Sequence, residues 1–527
     1  MLTQQQRTAG LSPDLARRAA AIAQALEQGR LDEAERSSIA CLVLAPKHAE
    51  ILRLFGTIQF MRGRTGEAID TLLQACAARP DDALIHNALG GAYEAVRDYP
   101  RALACLRRAC ELAPELAACW SNLGKLLFAS NDVEAAIPAF QRAVELAPRH
   151  VYARTMLANI LSADGRDKEA ETQFRKVVEQ DPACGHAWSG LATLKPMPLN
   201  MADIKRMRAA FNATAGSQAD RISTGFALAM ALDHKGDYAQ AFAVLGQTHA
   251  LARRLEPWNA GQFVERVDSI LSAFSAPLAA EPPQGEEVIF ITSLPRSGST
   301  LTEQVLASHS MVEGSAELPH IVELISEESD RRRQPFPLWV GKLGPADWHG
   351  LGRKYLALTE RWRKQRPRFT DKMPGNWLYI GSIMAMLPQA RVVVVRRDPL
   401  ETCLGCYRYL VSQHPYTHDI HDLAGYWRQF DRAARRWRAL YPQRVHELVY
   451  EELQADPETR IRELLAFCGL PFEQQCLDFH STERRVVTPS AAQVREPMRR
   501  DTARAAKYGA LLDPLRSALG MSPFRAE

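Results

Sequence analysis

The residues with the clearest chemistry lie in Pro295-Arg296-Ser297-Gly298-Ser299-Thr300-Leu301, which follows the apolar run Val288-Ile289-Phe290-Ile291. A β-branched stretch that breaks into a small polar turn and then resumes helical spacing predicts a strand, a loop and a helix. Such a loop aims backbone N–H groups and hydroxyls at one point, where the helix macrodipole adds roughly half a positive charge. The point suits a phosphate or a sulfonate. The loop lacks the Gly-x-x-x-x-Gly-Lys-Ser/Thr spacing of nucleotide triphosphatases, and its cation is Arg296, a planar fork of donors rather than a lysine. ATP hydrolysis is therefore disfavoured. Read alone, the heptapeptide is also compatible with a helix merely capped by Ser297 or Ser299.

This loop resembles the 5′-phosphosulfate loop of sulfotransferases that use 3′-phosphoadenosine 5′-phosphosulfate (PAPS), and most of all that of tyrosylprotein sulfotransferases. The resemblance implies that Arg296, Ser297, Gly298, Ser299, Thr300 and Leu301 hold the donor, with Arg296 also steadying the departing oxygen. Arg397-Asp398-Pro399-Leu400-Glu401, at the close of a β-branched run, is similar to the family's 3′-phosphate site, with Arg397 on that phosphate. Eight residues beyond Arg397 the family has a serine; here the position is Gly405, so that contact is missing or supplied elsewhere. Glu317, in Glu313-Gly314-Ser315-Ala316-Glu317-Leu318-Pro319, matches the family's general base, and Ala316 replaces its neighbouring acid. Lys372 matches the lysine that steadies the moving sulfonate. Tyr450 and Ser490 fall where the family contacts donor or sulfonate, and a last cation is Lys507 or Arg504. His309 and His320 are rival bases in positions that match no histidine-using branch. The resemblance implies adenosine 3′,5′-bisphosphate as product and no metal.

Two kinds of element must position these groups. Prolines recur every 34 residues at Pro46, Pro80, Pro114, Pro148 and Pro182, each preceded at a constant offset by Ala34, Ala68, Ala102, Ala136 or Ala170. Small residues at Gly56, Gly90, Gly124 and Ala158 share the register. The period resembles tetratricopeptide (TPR) repeats, paired helices stacked into an array with a concave groove. We expect the array over 1–200, a divergent TPR-like helical connector over 201–280, and a linker at 281–286. Strand–helix alternation over 287–527, with strands at Arg368–Thr370, Arg391–Arg396 and Val445–Tyr450, predicts a three-layer α/β, P-loop-like domain with a parallel sheet and ligands at its C-terminal edge. The fold class is thus an all-α solenoid followed by that domain.

The 527 residues exceed one core, and the 46% hydrophobic and 24% charged fractions are those of a soluble globular protein. A net charge of +4 is too mild to argue for nucleic acid, and no run is apolar enough to span a membrane. The N-terminus lacks the apolar core of a secretory signal, and the 10 cysteines are scattered, so a cytoplasmic location is expected. Cys403-x-x-Cys406 has no partner pair and reads as structural. The basic runs at 331–333, 361–364 and 435–438 read as solvated faces or local basic patches. The reading is a sulfotransferase acting on a protein or peptide hydroxyl, tyrosine included, recruited by the repeat groove. The alternatives are a carbohydrate or small-molecule acceptor with the repeats serving homo-oligomerisation, and a non-catalytic scaffold with a nucleotide-binding domain.

Overall fold

The computed structural model describes residues 2–130, 132–213, 216–315, 317–409, 414–482, 494–498 and 503–525. The chain divides into two compact units, Met1–Asp220 and Arg221–Glu527.

In the first unit the 34-residue period becomes pairs of helices: Ala49–Met61 with Thr65–Ala78, Ala83–Ala95 with Tyr99–Leu112, Ala117–Ala129 with Val133–Leu146, and Val151–Ala163 with Asp167–Gln180. Each proline stands just past a second helix. It pushes the residue before it out of the helical region, as at Ala113 with φ −140° and ψ 70°. Ala34, Ala68, Ala102, Ala136 and Ala170 are fully buried. Gly90 lies against Leu106, where an added Cβ would come within 2.5 Å of the leucine side chain, so the pair packs at its observed closeness only with glycine.

The second unit holds five strands among the described residues, all parallel: β1 Val288–Ser293, β2 Val312–Gly314, β3 Arg368–Lys372, β4 Arg391–Arg396 and β5 Val445–Val449. Their order is β2-β3-β1-β4-β5. The strand period of two sends alternate side chains to opposite faces. Val288, Phe290, Val392 and Val394 join one core, and Ile289, Ile291, Val393 and Val395 the other. Helices cover both faces, giving three layers. Tyr450, expected at a strand end, opens the helix Tyr450–Ala455 instead, directly after β5.

The division between units falls ahead of the proline-bearing segment 281–286. The helix Ala260–Ala273 and the residue capping it send Phe263, Val267, Ile270 and Phe274 into the first of the two sheet cores. Within 281–286 itself, the Gln284 amide donates to the carbonyls of His349 and Met386. No helix among the described residues is long and apolar enough to cross a membrane.

Asp371, on β3, is fully buried, and its Oδ2 accepts a 2.7 Å hydrogen bond from the Tyr355 hydroxyl. Burial pushes its pKa up to about 7. The folded state thus holds this proton more tightly than the unfolded chain, so the contribution is full below the ordinary carboxylate range and is lost as pH rises through about 7. Asp371→Asn should flatten the fall in melting temperature between pH 5 and pH 8, at roughly 1.4 kcal/mol per pKa unit removed. An unchanged slope would refute the assignment.

Candidate active site at the C-terminal edge of the sheet

Between β1 and the helix Ser299–Ala307 the chain makes its turn through two left-handed residues, Arg296 at φ 66° and Gly298 at φ 100°. For Gly298 the conformation costs little, and no side chain would fit, because a Cβ would lie 2.5 Å from the Tyr450 ring. For an arginine the same region is strained by about 1–2 kcal/mol, and the neighbours hold it there. Arg397 Nη1 donates to the Arg296 carbonyl at 3.2 Å, and the Cys406 thiol donates to the Pro295 carbonyl at 3.3 Å. The Tyr409 ring stacks on the Arg296 guanidinium, 4.4 Å from ring centre to Cζ. Ser297, Ser299 and Thr300 are buried in the turn, and the first N–H groups of a helix have no intrahelical acceptor.

Arg397 follows β4 and precedes the helix Pro399–Tyr407, whose N-terminus is capped by the Asp398 carboxylate accepting from the Glu401 N–H at 2.9 Å. Its guanidinium lies 5.0 Å from the Tyr450 ring centre and 3.4 Å from a Glu401 oxygen. The loop, Arg397 and Tyr450 therefore converge. The Arg296 stem lies beside Gly405: a Cβ there would meet the Arg296 Cβ at 3.1 Å, so an added side chain would press on the loop arginine.

Lys372 ends β3, in register with Ile291 of β1. Its side chain is 1% exposed and its Nζ donates to Glu317 Oε1 at 2.5 Å, while Glu317 remains 47% exposed. The two residues expected to act on acceptor and sulfonate are thus in contact, one buried and one open to solvent. Thr292 Oγ1 donates to the Pro374 carbonyl at 2.6 Å and ties the segment after β3 to β1. Ser293 Oγ and both amide atoms of Asn376 are buried there with no hydrogen-bond partner among the described residues. Buried polar atoms of this kind usually find hydrogen bonds, and a polyanionic ligand at this edge would supply acceptors for the Ser293 hydroxyl and the Asn376 Nδ2 group. With the Gly298 cradle, they fit a phosphosulfate donor.

Of the two candidate cations in the C-terminal segment, Arg504 donates to Asp233 at 2.7 Å, and Tyr508 and Arg408 bind the same carboxylate. Lys507 is exposed on the helix Ala505–Tyr508. Glu401, Tyr409 and Asp233 were not singled out by sequence reasoning. Glu401 carries an i, i+4 signal from Arg397, and its Oε1 accepts the N–H groups of Arg504 and Ala505 at 2.7 and 2.6 Å. Ser490 and Ala316 lie outside the described residues.

The rival bases are engaged elsewhere. His309 is buried, with one ring nitrogen on the Pro471 carbonyl at 2.9 Å and the other accepting from the Met311 N–H at 3.1 Å. His320 contacts Glu323 at 3.1 Å. Cys403 and Cys406 are buried thiols, and burial pushes Cys406 up to about 12. No group of metal-ligating side chains is found among the described residues. The arginine runs are largely paired: Arg331 and Arg332 with Glu328, Arg363 with Glu287, Arg435 with Asp431.

Comparison with known proteins follows the same division. Residues 288–474 match the sulfotransferase family, and residues 20–83, 81–149 and 127–194 match tetratricopeptide repeats. An uncharacterized protein of Aquifex aeolicus (strain VF5) is 31% identical over 322 residues, covering 57% of this chain and 41% of its own length. The chain thus spans less than half of that relative. A Caenorhabditis briggsae protein named "Putative protein-tyrosine sulfotransferase" is 25% identical over 199 residues, 37% of this chain and 70% of that protein. Among solved structures, a thermophilic tetratricopeptide protein of Thermus thermophilus is 23% identical, covering 32% of this chain and 92% of its own, with a TM-score of 0.30. The chain thus carries segments that match tetratricopeptide repeats ahead of a segment that matches the sulfotransferase family.

Proposed function

We propose that the second unit transfers a sulfonate from PAPS to a hydroxyl of a protein or peptide, with tyrosine the first candidate acceptor, and that the repeat array recruits that acceptor. The observation that carries the reading is the Lys372–Glu317 contact at 2.5 Å on the strand beside the one that ends in the anion loop. Bound PAPS supplies the sulfonate and leaves as adenosine 3′,5′-bisphosphate. Sulfonate transfer then needs a base for the acceptor, cations for the moving charge, and exact placement, with no covalent step on the protein.

Glu317, half exposed, accepts the proton of the incoming hydroxyl. Lys372 holds its charge beside that carboxylate, against the sulfonate. Arg296 directs its guanidinium at the bridging oxygen, Arg397 binds the 3′-phosphate, and the Ser297–Thr300 turn supplies N–H and hydroxyl donors. Ser490, Tyr450 and Lys507 complete the donor site in this reading, and no metal takes part. Supplying the chain with PAPS labelled in its sulfonate and a tyrosine peptide should give a labelled peptide. A phenylalanine copy of the peptide labelled equally would end the tyrosine assignment, and no label in any hydroxyl acceptor would end the enzyme.

Tyr409 holds Arg296 over its ring, and a cation–π contact contributes about 0.5–2 kcal/mol. Tyr409→Leu should therefore lower kcat roughly 2–30-fold, with Tyr409→Phe near the starting rate. Equal losses in the two variants would show that the hydroxyl, and not the ring face, matters.

A further inference from the structure

The repeats place a hydrogen-bond donor at the same point of their register four times. His86, Trp120, Arg154 and Trp188 donate through their side chains to the carbonyls of Pro80, Pro114, Pro148 and Pro182, at 2.7, 2.9, 2.7 and 2.9 Å. An indole does this work without charge, so the guanidinium of Arg154 is more than the bond requires. It is also buried, at 8% exposure, and its second bond goes to the neutral Gln173 side chain at 2.6 Å. No carboxylate among the described residues forms an ion pair with it. A buried cation without a counter-charge is costly, and it is the kind of group that a protein keeps for a ligand.

Arg154 lines an open pocket of about 620 Å³ together with Pro148, Arg149, Lys176, Glu179 and Gln180. Three cations face one carboxylate there, and the wall is otherwise polar or proline. We propose that this pocket binds an anionic side chain of a peptide, a carboxylate or a sulfate ester, with Arg154 supplying the buried end of the contact and Arg149 and Lys176 the exposed end. The site stands on the repeat unit alone and does not depend on the activity proposed for the second unit.

The test uses the full chain and fluorescein-labelled peptides of alternating glycine and glutamate, the same peptide with sulfotyrosine for glutamate, and a glutamine control, read by fluorescence anisotropy. Arg154→Trp restores the residue found at Trp120 and Trp188, so it keeps the proline bond and removes the charge. We expect it to weaken one or both acidic peptides about 10–100-fold at unchanged melting temperature, as the loss of charge-assisted hydrogen bonds predicts. The peptide more strongly affected names the source of the anion. Should Arg154→Trp fold poorly, the surface pair Arg149→Gln and Lys176→Gln should still weaken binding severalfold. Equal affinity of wild type and these variants, no acidic peptide bound by the wild type, or a glutamine peptide bound as tightly would each overturn the proposal.

Discussion

Glu317→Gln should lower kcat by about 10²–10⁴-fold, the range for loss of a general base, while the Kd for adenosine 3′,5′-bisphosphate stays nearly unchanged. The amide keeps the size of the carboxylate and a carbonyl for Lys372 Nζ, now at 2.5 Å from Glu317 Oε1. It cannot take a proton. In the proposed reading the bisphosphate is held by the loop and by Arg397, across β1 from Lys372, so calorimetry with that product separates lost chemistry from lost folding. A variant with full turnover on a labelled acceptor would remove Glu317 from the mechanism. A variant that neither turns over nor binds the bisphosphate would point to collapse of the site rather than to base catalysis.

The second large effect is expected at the loop cation. Arg296→Lys keeps the charge but gives up the planar fork and the stacked face on Tyr409, and it leaves a flexible stem beside Gly405. Removing one donor aimed at a developing negative charge costs about 10²–10³ in kcat. Because that charge is largest as the sulfonate leaves, kcat should fall by more than donor affinity does. Measuring kcat and the donor KM together decides the point: a rise in KM alone would make Arg296 a ground-state binding group.

Sequence reasoning reached different depths in the two units. The repeat register was legible because its signals are local: a proline stops a helix and a small residue admits its neighbour, wherever the chain happens to be. Strands β1 and β4 were legible because burial on both faces demands β-branched runs. Strand β2 was not, since Val312–Gly314 has only three residues and no room for a pattern. The anion loop could be read from its own residues and Arg397, Lys372 and Glu317 through the family resemblance, but neither could say that Lys372 is buried against Glu317, or that the Arg296 stem lies beside Gly405. Asp233 was invisible for another reason. Its partners Arg504 and Tyr508 lie 271 and 275 residues away, and nothing around position 233 hints at them.

The sharing of one core by the sheet and the helix Ala260–Ala273 bears on where this polypeptide can be cut. Ancestry marks a start near residue 288, yet scissors applied there would strip Phe263, Val267, Ile270 and Phe274 from beneath the sheet. At about 1.5–3 kcal/mol for each such side chain, the excised piece forfeits a sum comparable to the whole margin by which a domain of this kind holds together, about 5–15 kcal/mol. A portable fragment has to begin ahead of Ala260, as the compact unit that starts at Arg221 does, and swaps of this module between proteins must carry the preceding helices along.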